Sequence, residues 1–340
     1  MIEIIDRTAV TLPVPDPTCL VAALGAPGVK AEHDRFAQAV EALSAIEIRV
    51  PAEPLVLAPR WRVAAWNAER CKHVEASAAL LRATGADIVL LSELDCGMAR
   101  SGNRHTIADL AAALGMGYAY GVEFVELGLG DPQEQAAHAG ERNAIGFHGN
   151  GILSRAPLTD LTLIRLDAGG RWFNGRAGTQ RRLGGRMAIA GRIGRESEGV
   201  IVVSLHLESD SDAQDRAQQM TRLLAALNAR YGRARMVIGG DCNTAALPPA
   251  ADAPLWRDRC ETYEPLFAVM ERAGFDWRAA NDTASTQRRQ PDRTAPHFRR
   301  IDWLFTRGLT ASAPRTVAAV DDAGAAISDH EAITTDLRFE

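Results

Sequence analysis

The chain has 340 residues, 46% of them hydrophobic and 24% charged, with a formal net charge of -5 and a pI near 6.0. That composition is of an ordinary globular protein with one large or two smaller domains; it excludes a fibre, a disordered tail and a chain drawn as a whole to polyanions. Its five cysteines (Cys19, Cys71, Cys96, Cys242, Cys260) are scattered and form no CxxC pair, so they read as reduced core thiols rather than a disulfide framework or a structural zinc site. No apolar run reaches spanning length and the first twenty residues lack a leader pattern, so the expectation is a cytoplasmic protein with no membrane insertion.

Residues 1–60 read as an arm and helix appended to a catalytic domain of residues 61–340. Pro13, Pro15 and Pro17 argue against a regular element there, and Phe36, Val40 and Leu43 fall at helical spacing within 29–46. From Trp61 the text becomes regular. Residues 62–66 read as a strand ending in Asn67, 74–84 as a helix ending at Gly85, and 88–91 as a strand ending in Ser92-Glu93. A helix over 106–114 closes on Gly115, and 118–127 alternates like a strand. Residues 128–143 have no period and read as a surface loop.

A strand resumes at Gly149-Asn150-Gly151-Ile152-Leu153-Ser154, where glycines on both sides of Asn150 imply close backbone approach or unusual dihedrals. Residues 168–185 form a long loop with Arg171, Arg176, Arg181 and Arg182, and strands follow over 186–193 and 199–207, the second carrying His206. Residues 211–230 form the clearest helix, with Ser211 and Gln214 as a capping box and Met220, Leu223, Leu224 and Leu227 as its apolar stripe. The run Met236-Val237-Ile238-Gly239-Gly240-Asp241-Cys242-Asn243 is a buried strand that delivers an acid and an amide two residues apart, on one face, with Cys242 turned into the core. A helix over 264–273 follows. The loop over 281–300 carries Arg288, Arg289, Arg293, His297, Arg299 and Arg300, then a strand over 301–305 holds Asp302. Ser328-Asp329-His330 leads into a last strand over 333–339.

Polar residues thus recur at strand ends: Asn67, Glu93, His206, Asp241, Asn243, Asp302, Asp329 and His330. Each has a bland explanation as a strand terminator, but the ordered set of eight does not. The pieces Ala65-Trp66-Asn67, Leu90-Leu91-Ser92-Glu93, Gly149-Asn150-Gly151, Ser204-Leu205-His206-Leu207, Gly239-Gly240-Asp241-Cys242-Asn243, Ile301-Asp302-Trp303 and Ser328-Asp329-His330 resemble, in order, the endonuclease/exonuclease/phosphatase superfamily of DNase I-like metal-dependent phosphoesterases. The resemblance implies an α/β fold, a four-layered sandwich of two packed β-sheets flanked by helices, with the site at its rim.

It also implies roles. Glu93, Asn67 and Asp329 are the expected metal residues, for Mg²⁺ or Mn²⁺, since a hard cation takes carboxylate oxygens. His330, oriented by Asp302, activates water or stabilises charge on the phosphoryl group. Asp241 orients or deprotonates the nucleophile or protonates the leaving oxygen, and Asn243 and His206 donate to non-bridging oxygens. Asn67, Asn243, His206, Asn150 and Arg186 make up the expected substrate-contacting set. Glu69, two residues after Asn67, is either a solvent-facing carboxylate or part of the metal region. The implied reaction is hydrolysis of a small or medium organic phosphomonoester or phosphodiester by direct attack of an activated water. The acidic pI favours it over a DNA or RNA nuclease of the same fold, which remains the alternative if the arginine loops converge into a basic face. A non-catalytic binding module is the third reading, against which the complete set of acids and histidines speaks.

Overall fold

The computed structural model describes residues 4–174, 180–195, 199–288 and 299–339. Among these residues two mixed sheets pack face to face. One has six strands in the order Ile4–Ile5, Leu158–Arg165, Met187–Ile193, Val200–His206, Arg235–Asp241, Asp302–Arg307. The other runs Leu309–Val317, Ala332–Phe339, Arg60–Arg70, Ile88–Cys96, Phe147–Ser154, Gly117–Glu126, Ile46–Arg49, Thr8–Ala9, and Arg182–Gly184 pairs onto the Gly117–Glu126 strand beside this path.

Three apolar layers hold the sandwich together. Val63, Leu90, Ile152, Leu163, Ile189, Val202, Val237 and Leu304 fill the space between the sheets. On the outer face of the larger sheet, Leu81 and Leu110 of the helices Val74–Thr84 and Thr106–Leu114 pack against Trp66, Leu91 and Leu153. On the outer face of the smaller one, Met220, Leu223 and Leu227 of Ala213–Tyr231 and Phe267 of Leu266–Arg272 pack against Val203, Ile238 and Phe305. This is the expected four-layered α/β sandwich. Because their central strands are covered on both faces, those strands read in the sequence as near-continuous apolar runs.

The helices 74–84 and 106–114 have the expected bounds, each stopped by a left-handed glycine, Gly85 and Gly115. Elsewhere the structure corrects the reading. The long helix runs Ala213–Tyr231, and its cap is Asp212, which accepts from Asp215 N, rather than Ser211. The loop over 128–143 contains a helical turn, Pro132–Ala137, closed by a capping box between Asp131 and Glu134. Near the N-terminus Pro17 opens a helix, Pro17–Gly25, whose cap is Asp16, since a proline lacks only an amide proton that the first helical turn does not use. The segment expected as one helix over 29–46 is Lys30–Ala39 followed by a 3₁₀ turn, and Ile46–Arg49 then pairs antiparallel with the Gly117–Glu126 strand. Ile4–Ile5 pairs with the smaller sheet, so the first fifty residues add strands to both sheets.

Two parallel pairs, one in each sheet, position the site. Val200–His206 runs parallel to Arg235–Asp241 with His206 opposite Asp241, and Asp241 faces Asp302 across the next, antiparallel pairing. In the other sheet Arg60–Arg70 runs parallel to Ile88–Cys96 and brings Asn67 opposite Ser92. Both pairs present their carboxyl ends on the same rim, and Ser204 Oγ stitches the sheets there by donating to Leu91 O at 2.9 Å. Gly240 is required at φ 141°, where a Cβ would lie 2.1 Å from Leu205 O. The glycines around Asn150 answer to close approach, since a Cβ on Gly149 would meet Gly121 O at 2.0 Å.

Candidate active site at the rim of the sandwich

Asn67 is the hub of the rim. Its Nδ2 donates to Glu93 Oε1 and to Asp241 Oδ2, both at 3.1 Å, and lies 3.5 Å from His330 Nε2. One amide thus joins residues from both sheets that are far apart in the chain. Glu93 reaches it from a β-bulge, where the pairing with both neighbouring strands slips and Glu93 takes φ 55°. A bulge re-aims a side chain out of the pleat's alternation, which is why a strand otherwise buried on both faces can offer this carboxylate to the rim.

His330 follows Ser328, whose hydroxyl donates to Asn67 O at 2.8 Å and accepts from His330 N. The imidazole is held from behind: Nδ1 donates to Asp302 Oδ2 at 2.8 Å, and Nε2 points toward Asp241 Oδ2 at 3.7 Å. Burial works against a charged imidazole here, but the fields of Asp302 and Asp241 outweigh it and hold the His330 pKa well above the ordinary value. Asp241 is pushed up, first by burial and then by Asp302, against the pull of His330 and His206. Glu93 goes the other way. Its burial cost is overridden by Arg70, then by His206 and His148, and it stays ionised well below the usual range.

The remaining expected residues divide. His206 Nε2 lies 3.5 Å from Asp241 Oδ2, inside the cluster. Asp329 lies at its edge, with Oδ1 3.9 Å from His330 Nε2 and its backbone N–H bonded to Glu69 Oε2. Glu69 therefore braces the backbone beside His330. Asn243 does not continue the strand face of Asp241: at φ 47° it turns, its N–H caps Asp241 Oδ1 and its side-chain amide donates to Leu207 O. Asn150 lies opposite the bulge that carries Glu93, but its amide donates to Met187 O and ties the two sheets together. Arg186 is 3% exposed and lies behind His206, not in front of it; its Nη1 is 2.9 Å from His206 Nδ1 and 2.8 Å from Glu123 Oε1, with Nε 3.2 Å from Glu208 Oε2. A guanidinium saturated in this way reaches a substrate only through the histidine it supports.

Four supporting residues were not singled out from the sequence. Arg70 pairs with Glu93 at 2.5 Å, Glu123 and Glu208 pair with Arg186, and His148 Nδ1 lies 2.8 Å from Asp95 Oδ1. Glu123 sits on a strand that alternates like a half-buried one but is buried throughout, so its pattern gave no sign that an acid faced inward.

Among the described residues the loop arginines are already engaged, apart from Arg299, whose Nε is buried without a hydrogen-bond partner. Arg171 pairs with Asp215, Arg182 with Glu126, Arg288 with Glu331 and Arg300 with Asp282, while Arg181 is spent on the carbonyls of Phe173, Leu24 and Ala26. Arg176, Arg289, Arg293 and His297 lie outside the described residues.

The donor set fits a hard divalent cation. Glu93 Oε1 and Asp241 Oδ2 converge on Asn67, Asp302 Oδ1 is buried without a hydrogen-bond partner, and Asp241, Asp302 and His330 each offer a ligand atom within 4.8 Å of the others. Of these, His330 Nδ1 and Asp302 Oδ2 already satisfy each other.

The sandwich and its rim define a class. Residues 64–330 match the Endonuclease/Exonuclease/phosphatase family, and the chain belongs to it. Among solved structures it is similar to an endonuclease/exonuclease/phosphatase from Beutenbergia cavernae DSM 12333, with a TM-score of 0.55 and 21% identity over 82% of this chain and 72% of that one. It is also similar to a humanized D. rerio TDP2 (TM-score 0.52, 16% identity, 83% and 100% covered) and to the human Nocturnin catalytic domain with bound sulfate anion (0.53, 16%, 87% and 97%). At these identities the likeness concerns the fold alone. No curated protein matches the chain. Among the described residues no helix is long and apolar enough to cross a membrane.

Proposed function

We propose that this protein is a divalent-metal-dependent phosphoesterase that hydrolyses a small or medium organic phosphomonoester or phosphodiester by direct attack of water. The observation that carries the reading is the convergence of Glu93, Asp241 and His330 on one amide, Asn67, with His330 backed by the buried Asp302. Glu93, with Asn67 and Asp241 beside it and Asp329 at the edge, holds Mg²⁺ or Mn²⁺. When bound, the cation supplies charge neutralisation at the phosphoryl oxygens.

The chain's own residues do the rest. Asp241, whose burial favours a bound proton, accepts the proton of the attacking water or returns one to the leaving oxygen. His330, kept cationic by its two carboxylates, donates from Nε2 to a non-bridging oxygen, where negative charge grows in the transition state. His206, braced by Arg186 and Glu123, donates beside it. Asn243 fixes the turn that aims Asp241. The engagement of Arg171, Arg181, Arg182, Arg288 and Arg300 within the fold supports a compact ester over a polynucleotide, which draws its affinity from unpaired cations.

The test is a panel of phosphomonoesters, phosphodiesters and polynucleotides assayed with Mg²⁺ and Mn²⁺ beside an EDTA control, with sodium chloride varied. The expected result is EDTA-sensitive turnover of a small ester that changes little with salt. Steep loss of polynucleotide cleavage with salt, without small-ester turnover, assigns the site to a nuclease instead. Turnover indifferent to EDTA overturns the metal-dependent reading.

A further inference from the structure

Arg70 ends its strand in a run of three left-handed residues, with φ of 45° at Glu69, 67° at Arg70 and 52° at Cys71. Such a run is costly for residues with a Cβ. Here it accompanies a guanidinium laid against the carboxylate proposed to hold the metal. Nη1 donates to Glu93 Oε2 at 2.5 Å, and Nε lies 3.0 Å from Glu134 Oε1. Arg70 is not free to swing away. The second oxygen of Glu134 is held by Arg100 Nη1 at 2.9 Å and by Asp131 N at 3.0 Å, and Arg100 is itself forked onto Asp95 by two bonds of 2.8 Å. The helical turn in the 128–143 loop thus clamps Arg70 onto Glu93 through Glu134.

The two oxygens of Glu93 are consequently unequal. Oε1 meets the Asn67 amide on the side of Asp241, while Oε2 is covered by a fixed cation. Divalent ions differ in what they ask of a carboxylate. Ca²⁺ takes about six to eight oxygens and often both from one carboxylate, whereas Mg²⁺ is small, octahedral and content with one oxygen and several waters.

We infer that Arg70 selects the metal: by occupying Glu93 Oε2 it confines Glu93 to one-oxygen ligation, which suits Mg²⁺ or Mn²⁺ and rejects Ca²⁺. The inference rests on the proposed role of Glu93 and makes Arg70 a positioning residue. A merely structural arginine, once removed, weakens all three ions in parallel; a selecting one changes their ratio.

Isothermal titration of Mn²⁺, Mg²⁺ and Ca²⁺ into the full chain decides between these, with far-UV circular dichroism to confirm folding. In Arg70→Met the preference for Mn²⁺ over Ca²⁺ falls by about tenfold or more, the scale expected for a residue that supports a metal ligand. In Arg70→Lys, whose ammonium still covers Oε2, the wild-type ratio is kept. In Glu134→Gln, which loosens the clamp, the ratio moves the same way by less. A folded Arg70→Met with an unchanged ratio, or with parallel losses for all ions, overturns the inference alone. Should Arg70→Met not fold, an unchanged ratio in Glu134→Gln does so. A wild-type protein with no saturable Mn²⁺ binding overturns this inference and the phosphoesterase reading together.

Discussion

Replacing Arg186 by methionine tests whether the rim is held by buried charge. The guanidinium is paired with Glu123 at 2.8 Å and with Glu208 at 3.2 Å, and both carboxylates are fully buried. Their own burial raises both carboxyls, yet Arg186, helped by His206 at Glu123 and by the Asp210 N–H at Glu208, outweighs it and brings each from 4.5 down to about 2. At 1.36 kcal/mol per pH unit, each carboxylate then contributes about 3 kcal/mol of pH-dependent stability, offset by the cost of burying Arg186. Because the folded values are depressed, that contribution is complete above about pH 4.5 and is lost as the pH falls toward 2. Methionine leaves two acids buried without their cation, so Arg186→Met is expected to lose about 3–5 kcal/mol at pH 7. In the variant the acids protonate readily, and the gap to wild type narrows by about 2 kcal/mol or more between pH 7 and pH 4. Urea unfolding followed by tryptophan fluorescence at the two pH values measures both quantities. Adding Glu123→Gln and Glu208→Gln to Arg186→Met removes the unpaired charges and recovers more than half of the loss. A gap below about 1 kcal/mol, or one that does not change with pH, refutes the reasoning.

Either Asp241→Asn or His330→Ala abolishes ester hydrolysis while leaving far-UV circular dichroism close to wild type; unchanged turnover in a purified variant contradicts the assigned roles. Asp302→Asn, which swaps the anion behind His330 Nδ1 for a neutral amide, lowers kcat by about 10²-fold or more with little change in KM, read from initial rates. Gly240→Ala puts a methyl group 2.1 Å from Leu205 O at φ 141° and costs more than about 2 kcal/mol in urea unfolding, which distinguishes it from an ordinary strand glycine. His105 is opposed by burial but held up to about 9 by the neighbouring Cys96 and Glu47, the latter bonded to its Nε2 at 2.9 Å, so its stabilisation is full below about pH 6.5 and is lost as the pH rises through 9. A His105→Gln variant therefore melts further below wild type at pH 6 than at pH 10, and an equal deficit at both would count against a charged His105.

What the sequence shows of this fold, and what it hides, follows from where each signal is stored. Helices 74–84 and 106–114 were legible to the residue because apolar spacing and a terminal glycine agree. The strands Leu158–Arg165 and Leu309–Val317 were not. The first is interrupted by Asp160 at φ 49°, and the second carries Pro314 and a left-handed Ala313, features that an edge strand tolerates and that in a sequence argue for a loop. The site divides in the same way. Asn67, Glu93, Asp241 and His330 each close a recognisable apolar run or short motif, so their order could be read, whereas their meeting on the Asn67 amide could not. Arg70, Glu123, His148 and Glu208 have no such address: each lies within or beside a strand, and its partner is distant in sequence or set by the register of a neighbouring strand. Arg186 shows the consequence. It was expected to contact substrate, whereas sheet pairing sets Met187–Ile193 beside Val200–His206 and buries the guanidinium between His206 and two acids. A charge sunk that deep can persist only because its counter-charges are fixed by the same pairing. The residues proposed to meet a substrate are therefore the ones written plainly in the chain, and those that support them emerge only once the two sheets have closed.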